Sequence, residues 1–419
     1  MSSIDEREGL NLPKTTLTEF FEDMEGKLSL LTGLVPYESF GLTLKDVRKP
    51  MLVIGLPGIG KTCGIISAIE KLNAHLPEEK HLGFKKILLG QTVVGSLTGI
   101  PVAMPNGEVV RVQLPDLPNP EKDGQYGVLF LDEITTADEM QIQPALGLAD
   151  DSRCLGEYTL PEHWIVVGAG NGPDCTNFVR LDDMTISRFA TYDISYDYKK
   201  DFRPYAHATG ISSDIIAFLN FDPSSCVKVE STEADSAGKM FPCPRTWERL
   251  SIELKMREAL GKPVPIDNMA NFAGRIIGIK TGRKLEAFLT YKKNSKYSVE
   301  KILAGTEIDP EMDMKKEVFH ILLQGIIKNC SEELKRTNDG CNNFPLATYQ
   351  MVANGVSWLF KIYELDLRIN AILEICNEVP VFSSIMTDSD FMAMCPEMET
   401  FFDENAELIL RLDNNELKF

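Results

Sequence analysis

The sequence holds no run of about 18 apolar residues, the length a membrane-spanning helix requires. Residues 1–14 carry acidic side chains and none of the apolar core of a secretory leader. The expectation is a soluble, cytoplasmic protein with no membrane partner. Its nine cysteines are scattered singly, with no C-x-x-C pair, which argues against both a disulfide framework and a zinc knuckle. Five histidines, none in an H-E-x-x-H arrangement, leave little material for a transition-metal centre. Positive charge is also in short supply: 43 Lys and Arg face 62 Asp and Glu, for a net charge of −19. Nucleic-acid binding draws most of its affinity from phosphate neutralisation, so a whole-surface affinity for nucleic acid is not expected, although a local basic channel is compatible with that total. Low-complexity linkers and internal repeats are missing as well.

What is present is ordinary globular composition over 419 residues, enough for two or three domains. An amphipathic stretch at 17–31 marks an N-terminal helical segment over residues 1–30. Met51-Leu52-Val53-Ile54 reads as a buried strand and is followed by a glycine-rich passage, then by 63–74, where Ile65, Ile66, Ile69 and Leu72 fall at helical spacing. Further apolar runs at 87–89, 128–131, 164–168 and about 189–194 alternate with helical patterns. Together they predict a five-stranded parallel sheet covered on both faces. Between the second and third strands, Pro105-Asn106-Gly107 separates two β-like pieces and predicts an inserted hairpin within 91–118. From about residue 201 the pattern turns helical, with predicted helices at 213–219, 245–260, 268–290 and 314–328, and it stays so to the acidic stretch that begins at Asp388.

Three features carry chemistry. Gly55, Leu56, Pro57, Gly58, Ile59, Gly60, Lys61 and Thr62 satisfy G-x-x-x-x-G-K-[ST], and Cys63 follows. In that pattern glycines let backbone N–H groups close on phosphate oxygens, the lysine reaches the β- and γ-phosphates, and the hydroxyl ligates magnesium. ATP and Mg²⁺ are the implied cofactors. Asp132 and Glu133 end the 128–131 strand, where a parallel sheet presents its carboxyl ends beside the phosphate loop. Asp132 suits the metal's shell, and Glu133 the proton of an attacking water. Asn171 follows the next strand. Its amide can hold a γ-phosphate and a water, or it can simply form a turn before Gly172-Pro173.

The order of phosphate loop, LFLDE, VVGAGN, ISRF and FPCPRTWE resembles the MoxR-type AAA+ ATPases, a branch similar in motif order to the McrB and MCM motors. The resemblance covers residues 30 to 305, about two-thirds of the chain. It implies an AAA+ α/β nucleotide-binding domain over 31–200, an α-helical lid over 201–305, and a C-terminal helical region at 306–419 that matches no motif. It makes Asn171 the sensor-1 residue, Arg188 the arginine finger directed at a neighbouring subunit, and Arg245 the sensor-2 arginine, with Arg180 and Arg153 as competing interface arginines. The 91–118 passage takes the place of the family's pore-directed insert. Within 278–300 the basic residues resemble lid helices, and Phe288 and Tyr291 are expected to face the core. The implied assembly is a homo-oligomeric ring, hexameric in type, that acts like a chaperone on a protein client, one candidate being a von Willebrand factor A domain protein. Two alternatives stand beside it. A DNA-directed motor calls for a basic hairpin, whereas this one has Arg111 as its only basic residue against Glu108 and Asp116. A nucleotide-dependent scaffold with little turnover has no need of Glu133.

Overall fold

The computed structural model describes residues 12–404, apart from 113–116, 174, 176–178, 180, 229–239, 313, 338–343, 380 and 386–387. It divides into two compact units. One holds residues up to Asp201 together with 243–245, and the other holds 202–228, 240–242 and 246 onward.

The first unit is built on a parallel sheet. Its strands are β1 (Lys14–Thr15), β2 (Met51–Ile54), β3 (Leu82–Leu88), β6 (Tyr126–Asp132), β9 (His163–Gly170) and β10 (Ala190–Ile194), in the order β1-β10-β2-β9-β6-β3. Two hairpin strands, β4 (Ile100–Ala103) and β5 (Val109–Val112), pair with each other, as do β7 (Cys154–Leu155) and β8 (Tyr158–Thr159). The apolar runs become central strands because both of their faces are covered. Met51 to Ile54 and Val128 to Leu131 are all fully buried, and each such side chain withdrawn from water stabilises the fold by roughly 2 kcal/mol. The five expected strands form, and a sixth joins them: β1, two residues long, pairs with β10, with Lys14 Nζ 2.8 Å from the buried Asp193 carboxylate.

All strands of this sheet run parallel, so their carboxyl ends share one edge. β9 lies between β2 and β6, which sets the turns after the three strands side by side. Gly55 N–H, just past β2, donates to Gly170 O at the end of β9 at 3.2 Å. The Leu17–Leu31 helix begins with a capping box, Thr16 with Glu19, and buries Phe20, Met24 and Leu28. By contrast, the β4–β5 hairpin leaves Ile100, Val102, Val109, Val110 and Val112 exposed.

The second unit is helical. Ser213–Phe221, Pro244–Ala259 and Ile279–Lys293 bring Phe218, Trp247 and Phe288 into ring contact. Lys316–Thr337, Leu346–Phe360 and Leu365–Glu378 surround a second core that includes Phe319, Leu323, Trp358 and Phe360. Two expectations need correcting. The helix predicted over 268–290 is two helices, Met269–Ile277 and Ile279–Lys293, because Gly278 takes a left-handed φ of 83° that no helix can continue through. Phe288 is buried as expected, but Tyr291 is 43% exposed. The Lys315 ammonium lies 4.8 Å from the centre of the Tyr291 ring, a cation–π contact that suits a surface position.

Candidate functional site

The loop after β2 turns through two left-handed glycines, Gly58 at φ 75° and Gly60 at φ 99°, before the Lys61–Asn73 helix begins. Any other residue would be strained at both places. The loop's backbone N–H groups therefore gather at a helix N-terminus, which is a ready anion site. Ile59 is buried and anchors the turn. Cys63, in the first turn of the helix, is exposed. The Lys61 ammonium folds back under the loop and donates to Gly55 O at 2.8 Å and to Leu56 O at 3.0 Å. Burial pulls its pKa from the ordinary 10.5 down to about 8; Asp132 opposes the fall and Arg245 adds to it. A lysine held in this way gains much from an anion.

Thr62 and Asp132, seventy residues apart, meet: the hydroxyl donates to Asp132 Oδ2 at 3.4 Å. Asp132 Oδ1 accepts the Glu133 N–H at 2.9 Å, and its Oδ2 also lies 2.6 Å from Lys86 Nζ on β3. Glu133 has a left-handed φ of 59°, a conformation that costs a non-glycine residue about 1 kcal/mol or more and recurs at functional sites. The turn takes its carboxylate off the strand ladder and close to Gly90. A Cβ on Gly90 would stand 2.8 Å from Thr136 Oγ1 and 3.5 Å from Glu133 Oε2, so this approach needs glycine. Across the edge, Asn171 N–H donates to the hydroxyl of the buried Thr135 at 2.7 Å, which ties the end of β9 to the turn after β6.

The sequence-derived residues thus fall into two groups. Gly55, Pro57, Gly58, Ile59, Gly60, Lys61, Thr62, Asp132, Glu133 and Asn171 share the carboxyl edge of the sheet. Arg245 N–H donates to Gly58 O at 3.1 Å, and its side chain is exposed. Arg188 stands elsewhere, its Nε 2.7 Å from Asp150 Oδ1. Arg153 is turned inward: it is buried, with Nη2 donating to Pro161 O at 2.9 Å and to Trp164 O at 2.5 Å. Arg180 lies outside the described residues. Lys86, Gly90 and Thr135 were not found from sequence. Each is placed by strand register or by a turn, and none carries a motif of its own.

Among the described residues no three His, Cys, Asp or Glu side chains converge as a closed metal cage would need. Magnesium asks for less, one or two protein oxygens with the rest from phosphate and water. Thr62 Oγ1 and Asp132 Oδ2 are such a pair, so the residues present fit the ion.

No protein-family model matches the chain, and no curated protein matches its sequence. Among solved structures, a candidate ATPase from Cytophaga hutchinsonii is 14% identical over 62% of this chain and 87% of its own, with a TM-score of 0.27. The closed state of Hsp104 with ATPγS and FITC-casein is 16% identical, over 68% of this chain but only 48% of that one, at 0.31. PCH-2 of C. elegans is 10% identical over 65% and 68%, also at 0.31. Likeness of this degree is too slight to assign a family or an activity.

Proposed function

We propose that the chain is an ATPase of the AAA+ class, MoxR-like, which binds ATP with Mg²⁺ at residues 55–62 and hydrolyses it within a homo-oligomeric ring to remodel a protein client. The observation that carries this reading is the meeting of Thr62 with Asp132 at 3.4 Å beside a glycine loop that opens a helix. In this reading residues 31–200 are the nucleotide-binding domain, 201–305 the lid and 306–419 a docking region.

The backbone N–H groups of the loop and the Lys61 ammonium hold the phosphates, and Lys61 exchanges its two carbonyl partners for phosphate oxygens. Thr62 and Asp132 would hold Mg²⁺, which when bound would neutralise phosphate charge. Glu133 accepts a proton from the attacking water as its oxygen bonds to the γ-phosphorus and the bond to ADP breaks. Asn171 orients that water. Arg188, from a neighbouring subunit, and Arg245 stabilise charge gathering on the transferred phosphoryl group. Hydrolysis then depends on assembly.

A protein client, with a von Willebrand factor A domain protein as one candidate, is favoured over nucleic acid by the hairpin. Its exposed Ile100, Val102, Val109, Val110 and Val112 offer apolar contacts and edge-strand hydrogen bonds, with Arg111 as the single cation on either strand. The central test is nucleotide binding by fluorescence with the full chain and its Lys61→Ala variant. Loss of binding in the variant is expected. Binding as tight as that of the parent chain would sink the phosphate-loop assignment.

A further inference from the structure

Two adjacent lysines on β3 each meet a carboxylate of the first unit, and they do so in different settings. Lys85 Nζ lies 3.1 Å from Asp123, the last residue of the short Pro120–Asp123 helix that precedes β6. Lys86 Nζ lies 2.6 Å from Asp132, at the other end of that strand. The register explains the second contact: Lys86 is opposite Phe130 and Leu88 opposite Asp132, so the Lys86 ammonium lies 5.8 Å from the centre of the Phe130 ring and ends on the next same-face residue. The side chain keeps a third of its surface exposed. A pair so accessible contributes little to stability, and its position is the notable fact. The ammonium occupies the same oxygen, Oδ2, that receives the Thr62 hydroxyl.

We propose that Lys86 is a positioning residue for the divalent ion: a built-in cation on Asp132 that makes the site accept Mg²⁺ only together with nucleotide. The inference rests on the ATPase reading above. A divalent ion between Thr62 and Asp132 would share Oδ2 with an ammonium, and the repulsion between them opposes uptake of the ion alone. The phosphates of ATP bring enough negative charge to reverse that balance. Lys86, on a flexible four-carbon stem that already reaches solvent, can then swing away or turn to a phosphate oxygen at small cost.

The test titrates Mn²⁺ into the full chain and reads the free ion by its electron paramagnetic resonance signal, with and without a non-hydrolysable ATP analogue. Lys86→Met should take up Mn²⁺ about tenfold more tightly than the parent chain when nucleotide is absent. Lys86→Arg, which keeps the charge, should stay within about twofold of the parent. With the analogue present the parent and Lys86→Met should come within about threefold of each other. Lys86→Gln provides the same comparison should the methionine variant fold poorly, and thermal melting identifies that case. Equal Mn²⁺ affinity in the parent and the neutral variants without nucleotide would overturn the role of Lys86 and leave the ATPase reading standing. No uptake by the parent chain with the analogue, or uptake undiminished by Asp132→Asn, would overturn the site assignment and the role of Lys86 with it.

Discussion

Two buried or half-buried carboxylates, one in each unit, are held in opposite ways. Glu374 in the helical unit is 6% exposed. Its Oε2 accepts from Gln324 at 2.9 Å and from Asn220 at 3.2 Å, and its Oε1 lies 3.5 Å from Arg203. Three other segments of the bundle thus converge on one side chain, and these partners belong to the fold. Asp132 has a backbone N–H, a partly exposed lysine and a threonine hydroxyl 3.4 Å away, and the last two are groups that a ligand can replace. Lys61, desolvated and donating to the Gly55 and Leu56 carbonyls, would likewise be better served by a phosphate. The two non-glycine residues with positive φ among those described, Glu133 and Arg153, both lie in the first unit. A charge matched by fixed partners specifies structure; a charge matched by exchangeable ones leaves free energy for binding.

The comparison can be broken from either side. Glu133→Gln keeps the size and polarity of the side chain and removes the proposed base, so turnover should fall about a thousandfold while ATP affinity stays within a few-fold. Steady-state phosphate release with a separate binding titration checks this, and unchanged turnover would show that another group takes the proton. Glu374→Ala removes the carboxylate on which Gln324, Asn220 and Arg203 converge, and a chemical denaturation midpoint should report a loss of about 3 kcal/mol. A loss under about 1 kcal/mol would mean that water replaces the carboxylate at this site, and the contrast with Asp132 would weaken. Arg188→Ala should lower turnover about a hundredfold, as removal of one donor to transition-state charge does. Mixing that variant with Glu133→Gln subunits should restore part of the activity if Arg188 acts on a neighbour. Failure at every ratio would leave the Asp150 pair as its whole purpose.

The same contrast governs what could be read from sequence. Met51 to Ile54, Val128 to Leu131 and Trp164 to Gly168 were legible because strands buried on both faces must be continuously apolar. β1 was not, since two residues have no period and its anchor, Asp193, is 179 positions away from Lys14. The glycine-rich turn after β2 and the Asp132-Glu133 pair at the end of β6 could be located because glycines and an apolar run mark them in the sequence. The strand order could not, because nothing in β9 announces that it lies between β2 and β6. Lys86 follows from that order: it meets Asp132 only through the β3–β6 register. Thr135 and Gly90 depend on how two turns approach, which no local pattern encodes. The Glu374 cluster left no trace in sequence, because burial turns ordinary Gln, Asn and Arg residues into a network.

The smallest predicted effect separates the two kinds of charge most directly. Burial lowers the Lys61 pKa from 10.5 to about 8. Below pH 8 the lysine is charged both in the folded protein and in the unfolded chain, so the cost of burying it is felt in full. Between pH 8 and pH 10.5 the folded protein releases the proton first, and this residue's contribution to stability rises with pH. Nucleotide should work in the opposite direction. Phosphate favours the ammonium and raises its pKa, so affinity should be highest below pH 8 and should fall about tenfold from pH 7 to pH 9, where most Lys61 must regain a proton before it can bind. Calorimetry at pH 9 in two buffers of different ionisation enthalpy should reveal close to one proton taken up per nucleotide bound. Affinity that is flat across this range, with no proton uptake, would mean that Lys61 is already charged and satisfied by its two carbonyls; the phosphate loop would then resemble the Glu374 cluster more than a site awaiting a ligand.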